Sequence, residues 1–182
     1  MADINIPAAS GRPIAAEKDP AVVGAEPSWD LIELLFFAYR DFVGDPDEVL
    51  AKLTFGRAHH RVIHFVNRNP GMKVAELLDM LRITKQSLGR VLKQLIDEGY
   101  VLQKEGAIDR RQRLLYVTPK GEALAMKLAG LQTERIARAI AEFGPGGHEA
   151  AGRFLAGMID PENRDRVLRF IARADRDRRR RS

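Results

Sequence analysis

The stretch Val74-Ala75-Glu76-Leu77-Leu78-Asp79-Met80-Leu81-Arg82-Ile83-Thr84-Lys85-Gln86-Ser87-Leu88-Gly89-Arg90-Val91-Leu92 decides the reading of the chain. Val74, Leu77, Leu78 and Leu81 recur at i, i+3, i+4 and i+7, one face of a short helix. Thr84 is a good N-cap for a second helix, whose apolar positions are Leu88, Val91, Leu92, Leu95 and Ile96, with Gly99 at its end. Only the tight turn Leu81-Arg82-Ile83 separates the two.

Downstream the period changes. Tyr100 to Lys104 and Leu114 to Val117 read as strands, rich in β-branched and aromatic residues. The loop between them, Gly106-Ala107-Ile108-Asp109-Arg110-Arg111, is polar and basic. Thr118-Pro119 is a helix start, with Thr as cap and Pro at the first helical position. The order helix, turn, helix, strand, basic loop, strand is a winged helix-turn-helix. The expected fold is mainly α with a small β-hairpin wing.

The second helix of the pair begins with Thr84, Lys85, Gln86 and Ser87, followed by Arg90. These are short, polar or basic side chains at the end where a recognition helix meets base edges. Lys85 and Arg90 suit phosphate or guanine, Gln86 suits adenine, and Ser87 suits base or phosphate. Free N–H groups of the first turn favour a phosphate. Lys73, Lys93, Arg110 and Arg113 complete the set of candidate DNA contacts, with Asp109 and Arg111 in the wing.

Upstream, Trp29 to Phe42 form a helix opening after Ser28, too apolar for a single buried face. In a chain of 182 residues a second copy is the expected cover. Gly44-Asp45-Pro46 is expected to end this helix. Downstream of Thr118, a long helix reaches about Glu142, Gly144-Pro145-Gly146-Gly147 breaks the chain, and Asp160-Pro161 restarts a last helix. The implied division is a flexible tail at 1–27, an N-terminal part of the dimerisation region at 28–54, and the winged lobe at 55–119. C-terminal dimerisation helices follow at 120–174, then a basic tail at 175–182.

Charge is segregated along the chain. Residues 1–56 hold 4 basic and 10 acidic side chains, residues 57–120 hold 13 and 6, and residues 121–182 hold 13 and 9. The positive excess therefore sits on the winged lobe, as an electrostatic footprint for nucleic acid would. There is no cysteine, which excludes disulfides, thiolate zinc sites and thiol redox switching. No secretory signal pattern or apolar run of spanning length is legible, so a cytoplasmic protein is expected. The glycine-rich break at 144–147 lacks the preceding strand and following Lys-Ser/Thr of a phosphate loop, and no serine sits in a nucleophile elbow. Neither an enzyme nor a cofactor is expected.

These residues resemble the MarR family of bacterial transcriptional regulators. The resemblance runs through Val74 to Leu78, Thr84 to Gly99, Asp109-Arg110-Arg111 and Leu115 to Gly121, and it extends over about Ser28 to Ala174. The whole sequence looks most like the PetP-type branch. The resemblance implies a homodimer whose N- and C-terminal helices interlock, with two winged lobes reaching adjacent major grooves of a double-stranded, pseudo-palindromic operator. It further implies that Arg111 enters the minor groove with Asp109 as its partner. The family often carries an alcohol or branched residue where Gly89 stands, and the cysteine of its redox-sensing branch is missing here.

A small-molecule effector pocket, if present, would draw on Phe36, Tyr39, His59 and His60. The aromatic row to which Phe36 and Tyr39 belong is more often core or dimer seam. His60 and His64 stand at i, i+4, a spacing able to hold a metal. No adjacent ligand completes a site, so ordinary helix surface or interface is the preferred reading. A winged-helix module docking a protein partner, without specific DNA binding, and a His-based metal-responsive regulator are the alternatives.

Overall fold

The structure, a computed structural model, describes residues 26–106 and 109–180. Among them the order is α1 (Trp29–Ala51), α2 (Arg57–Arg68), β1 (Met72–Lys73), α3 (Val74–Leu81), α4 (Lys85–Asp97), β2 (Val101–Glu105), β3 (Arg113–Val117), α5 (Pro119–Phe143), α6 (Gly147–Gly157) and α7 (Pro161–Arg179). The chain divides into two units between Phe36 and Phe37. In the first, the described residues are the opening turns of α1, where Trp29, Leu31, Ile32, Leu34, Leu35 and Phe36 face solvent.

In the second unit, the helix-turn-helix packs as its apolar periods require. Leu77 of α3 and Leu88, Val91, Leu92 and Leu95 of α4 turn inward. They meet Val62, Ile63 and Val66 of α2, Leu115 of β3 and Leu124 and Leu128 of α5 in one core. Each fully buried Leu or Ile contributes roughly 1.5–3 kcal/mol, so this cluster is the main stabiliser of the lobe.

The sheet is antiparallel in the order β1-β3-β2. Val101 pairs with Val117 and Glu105 with Arg113, which carries the hairpin outward to the wing. β1 was not legible in the sequence. It has two residues, Met72 opposite Leu115 and Lys73 opposite Leu114, too few for any period.

Thr118 ties the hairpin to α5. Its hydroxyl accepts from the Gly121 N–H at 3.1 Å and donates to the Gly99 carbonyl at 2.7 Å. The first turn of α5 passes so close to Tyr100 that a Cβ on Gly121 would lie 2.0 Å from the Tyr100 carbonyl oxygen. Only glycine fits there.

The expected end of the first helix at Gly44-Asp45-Pro46 is corrected, because α1 continues to Ala51 with Pro46 inside it. Proline removes one backbone donor, but Val43, Pro46 and Leu50 form the buried stripe of this segment. Their burial outweighs the lost bond. Ion pairs flank the site: Arg135 of α5 holds Asp45 at 2.8 Å, and Arg57 of α2 holds Asp47 at 2.8 Å. The expected basic tail from residue 175 is likewise helical as far as Arg179. The expected N-terminal tail lies, apart from Glu26 and Pro27, outside the described residues.

Candidate nucleic-acid interface

Recognition-helix geometry starts at Thr84. Its backbone is extended (φ −69°, ψ 149°), and its hydroxyl oxygen accepts from the Ser87 N–H at 3.1 Å. The same hydroxyl donates to Ser87 Oγ at 2.9 Å, so these two candidates steady each other as well as the helix end. Gln86 and Arg90 are exposed on the face opposite Leu88, Val91, Leu92 and Leu95, and Lys85 is exposed in the first turn. Gln86, Arg90 and Lys93 follow at i, i+4 and i+7 along that outer face. Lys93 also donates to Asp97 one turn on, a surface pair worth a few tenths of a kcal/mol. Gly89 opens on empty space: nothing lies within 4 Å of where its Cβ would be.

The turn before α4 is held by Arg82. It closes α3 in the left-handed conformation (φ 50°, ψ 40°), with its N–H bonded to the Leu78 carbonyl at 3.0 Å. A left-handed residue other than glycine costs roughly 1–2 kcal/mol. At the other end of α3, the Lys73 N–H donates to Glu76 Oε2 at 2.9 Å.

The wing is shaped by Asp109. Its carboxylate accepts the Arg111 N–H at 2.9 Å, and its carbonyl accepts the Gln112 N–H at 3.0 Å. Asp109 thus acts on the backbone of the residue that the sequence paired with it. Gly106 closes the loop from the other side, where an added Cβ would sit 2.7 Å from the Asp109 carbonyl oxygen. Arg110 and Arg111 are exposed. Arg113 pairs across the hairpin with Glu105 at 2.9 Å. Ala107 and Ile108, the tip of the expected loop, lie outside the described residues.

One exposed cation of the wing was missed in the sequence. Lys104 on β2 lies with its Nζ 5.2 Å from the Tyr116 ring centroid. Its place on the strand leading to a basic loop was the available signal. Taken together, α4 and the wing present cations and amide-type groups outward on a rigid apolar base, an arrangement able to grip phosphates and read base edges.

The residues named for an effector pocket have the following surroundings within the chain. His59 has both ring nitrogens occupied, Nδ1 by the Gly56 N–H at 3.1 Å and Nε2 by Gln94 Oε1 at 2.9 Å. Its ring stacks on Phe55 at 4.7 Å. It is a structural residue with no nitrogen left for a ligand. Tyr39 accepts a hydrogen bond from Arg61 at 3.2 Å, and Phe36 is exposed. His60 and His64 are half-buried, and burial is the first cause that lowers the pKa of each below 6.5. Among the described residues no group of three or more His, Asp or Glu is placed to hold a metal ion. A cleft of about 920 Å³ opens instead along α3, β1, the end of α2 and α7, and includes none of the four. No helix among the described residues is long and apolar enough to cross a membrane.

Comparison with known proteins agrees with this geometry. Residues 53–112 match the model of the MarR family. The HTH-type transcriptional regulator PetP of Rhodobacter capsulatus is 46% identical over 133 residues, which is 73% of this chain and 80% of that protein. The crystal structure of the transcriptional regulator SlyA superposes with a TM-score of 0.62 at 16% identity, covering 76% of this chain and 99% of SlyA. BpsR of Bordetella bronchiseptica, whose DNA binding is described as regulated by 6-hydroxynicotinic acid, superposes with a TM-score of 0.58 at 18% identity, over 75% and 99% of the two chains. With a winged helix-turn-helix lobe in place and a PetP relative matched over most of both lengths, the chain belongs to the MarR family of transcriptional regulators.

Proposed function

We propose that the protein works as a homodimer that binds a specific, pseudo-palindromic operator in double-stranded DNA. In this reading α4 lies in the major groove through Thr84, Lys85, Gln86, Ser87, Arg90 and Lys93. The wing, through Asp109, Arg110, Arg111 and Arg113, reaches the minor groove, and Lys73 meets a phosphate. The observation that carries it is the two-faced recognition helix: Leu88 and Leu95 are sealed in the core, while Gln86 and Arg90 stand exposed on the opposite face and Lys85 stands exposed in the first turn. Half-sites would lie about one helical turn apart, roughly 10 bp.

The dimer is supported by exposed apolar side chains. Trp29, Leu34 and Phe36 of α1, and Phe154, Leu155 and Met158 at α6, are each more than half exposed. Apolar surface of that extent marks an interaction site. Response to a small-molecule effector is supported by the likeness to BpsR.

The test is selection of bound duplexes from a random library, then titration of the selected site against excess random DNA across a salt series. A specific regulator retains its site under competitor and loses affinity steeply with salt. Arg90→Ala and Arg111→Ala should each weaken specific binding by about 1–3 kcal/mol if they read bases. No enriched sequence, with only a bulk salt slope, would replace this reading by a protein-docking module.

A further inference from the structure

The arginines of α7 form a flank that the reading of α4 and the wing leaves unused. Residues 161–182 hold nine arginines and no lysine. Val167, Phe170 and Ala174 turn inward at i, i+3 and i+7, with Phe170 against Phe65 of α2 and Ala174 buried. Beside that face, Arg169, Arg173, Arg176 and Arg180 recur at i, i+4, i+7 and i+11, a narrow stripe along the helix, and all four are exposed. Arg180 lies just past the end of α7, yet its N–H still bonds the Arg176 carbonyl at 3.2 Å. From Arg169 to Arg180 the stripe is roughly 16 Å long at 1.5 Å per residue. Carboxylates do not neutralise it. Glu162 and Asp165 precede it, Asp175 is held by Arg68 at 2.6 Å, and Asp177 reaches Arg173 at 3.8 Å. Among the described residues Arg169, Arg176 and Arg180 have no ion-pair partner.

We propose that this flank of α7 is a second, sequence-independent DNA surface, holding backbone phosphates beside those met by the helix-turn-helix. The inference rests on the proposed DNA-binding function. A cation near a helix C-terminus is favourable in the last turn, which accounts for Arg176 and Arg180 but not for Arg169 and Arg173. Like charges one turn apart destabilise a helix, and a row of phosphates relieves that repulsion. Guanidinium groups suit the partner, since each offers paired N–H donors to phosphate oxygens. Position suits it too. Arg166, near the start of α7, bonds Asp79 of α3, so the stripe is carried by a helix tied to the first helix of the pair. That first helix is the one that crosses the DNA backbone in this motif. A membrane surface fits less well, because a helix lying on lipid needs its apolar face free, and the apolar face of α7 is spent on the lobe.

The test compares the full chain with a triple variant, Arg169→Gln, Arg173→Gln and Arg176→Gln, which keeps good helix formers on the surface. Lys52→Gln with Lys127→Gln and Arg138→Gln is the control, removing the same charge at exposed positions elsewhere. The probes are the selected operator with one helical turn of random flank, about 10 bp, on each side, and a random duplex of equal length. The triple variant should bind both duplexes at least about tenfold more weakly at about 50 mM salt, with the operator-to-random ratio unchanged. Its plot of log affinity against log salt should be shallower by about 2–3, the loss of up to three phosphate contacts. Arg169→Gln alone should flatten it by about 1 and serves if the triple variant fails to fold. Unchanged affinity and slope, or a loss matched by the control, overturns the surface. So does a changed operator-to-random ratio, or a changed subunit number in sedimentation, which would assign the stripe to a contact between copies. If selection yields no operator, the specific-binding reading fails by itself, and the random duplex still tests the stripe by the same loss and slope.

Discussion

His59 on α2 and Gln94 on α4 are joined by a 2.9 Å hydrogen bond between Nε2 and Oε1. Because Nδ1 accepts the Gly56 N–H, the neutral ring carries its proton on Nε2 and donates it to the glutamine. One side chain therefore caps the start of α2 and braces the recognition helix.

Replacing His59 with Ala should destabilise the fold by about 1–2 kcal/mol, the combined scale of a lost cap and a lost hydrogen bond. Gln94→Ala should cost less, since it leaves the cap and the Phe55 stack. Urea unfolding of the singles and the double should give a coupling of about 0.5–1.5 kcal/mol between the two residues. Strict additivity would mean that the bond is not maintained in solution.

Two glycines should respond to alanine in opposite directions. At Gly89 the added methyl meets nothing, so Gly89→Ala should stabilise by about 0.5–1 kcal/mol, or about 2–4 °C in Tm per kcal/mol at this chain length. At Gly121 the methyl would strike the Tyr100 carbonyl, and Gly121→Ala should destabilise by more than about 2 kcal/mol. Calorimetric melting of both variants checks the pair. If Gly89→Ala melts higher yet binds the operator less well, the glycine is kept for close approach to DNA.

Stability should fall on mild acidification. Burial lowers the pKa of His60 below 6.5, the charge of His64 and then Arg61 add to this, and Asp47 opposes. His64 is lowered by burial and then by Arg68. Both rings are thus harder to protonate in the native state than in the unfolded chain, which takes up protons near 6.5. Their contribution is complete above that pH and is lost as the pH falls below it, because the unfolded state then binds more protons. Urea midpoints between about pH 7.5 and 5.5 should decline, and His60→Gln with His64→Gln should flatten that decline. An unchanged slope in the double variant would assign the decline to other groups.

In the wing, Asp109→Ala removes the acceptor of the Arg111 N–H but touches no core residue. Global stability should change by no more than about 0.5 kcal/mol, as for an exposed site. Hydrogen exchange at the Arg111 amide should quicken, and Asp109→Asn should restore part of its protection. Equal exchange in wild type and Asp109→Ala would show that the turn stands without the carboxylate.

How much was legible follows from what each element depends on. The periods of Leu77, Leu88, Val91, Leu92 and Leu95 placed α3 and α4, and Thr84 and Thr118 marked helix starts because a cap is a local hydrogen bond. The β-branched and aromatic residues of Tyr100 to Lys104 and Leu114 to Val117 placed the hairpin. The signal failed at Pro46, where a local breaker is overruled by burial against distant residues, and at β1, whose two residues pair only because β3 lies beside them. It also failed at His59, whose partners are a glycine three residues back and a glutamine 35 residues ahead.

The sequence by itself determined the winged helix-turn-helix, its capped recognition helix and the cationic outer face, since period, capping and charge are properties of neighbouring residues. Tertiary structure alone decided that α1 runs through its proline, that His59 braces α2 against α4, and that Arg166 meets Asp79 across 87 residues to bound a cleft. Those outcomes depend on which distant surfaces are buried together, and no local pattern records that.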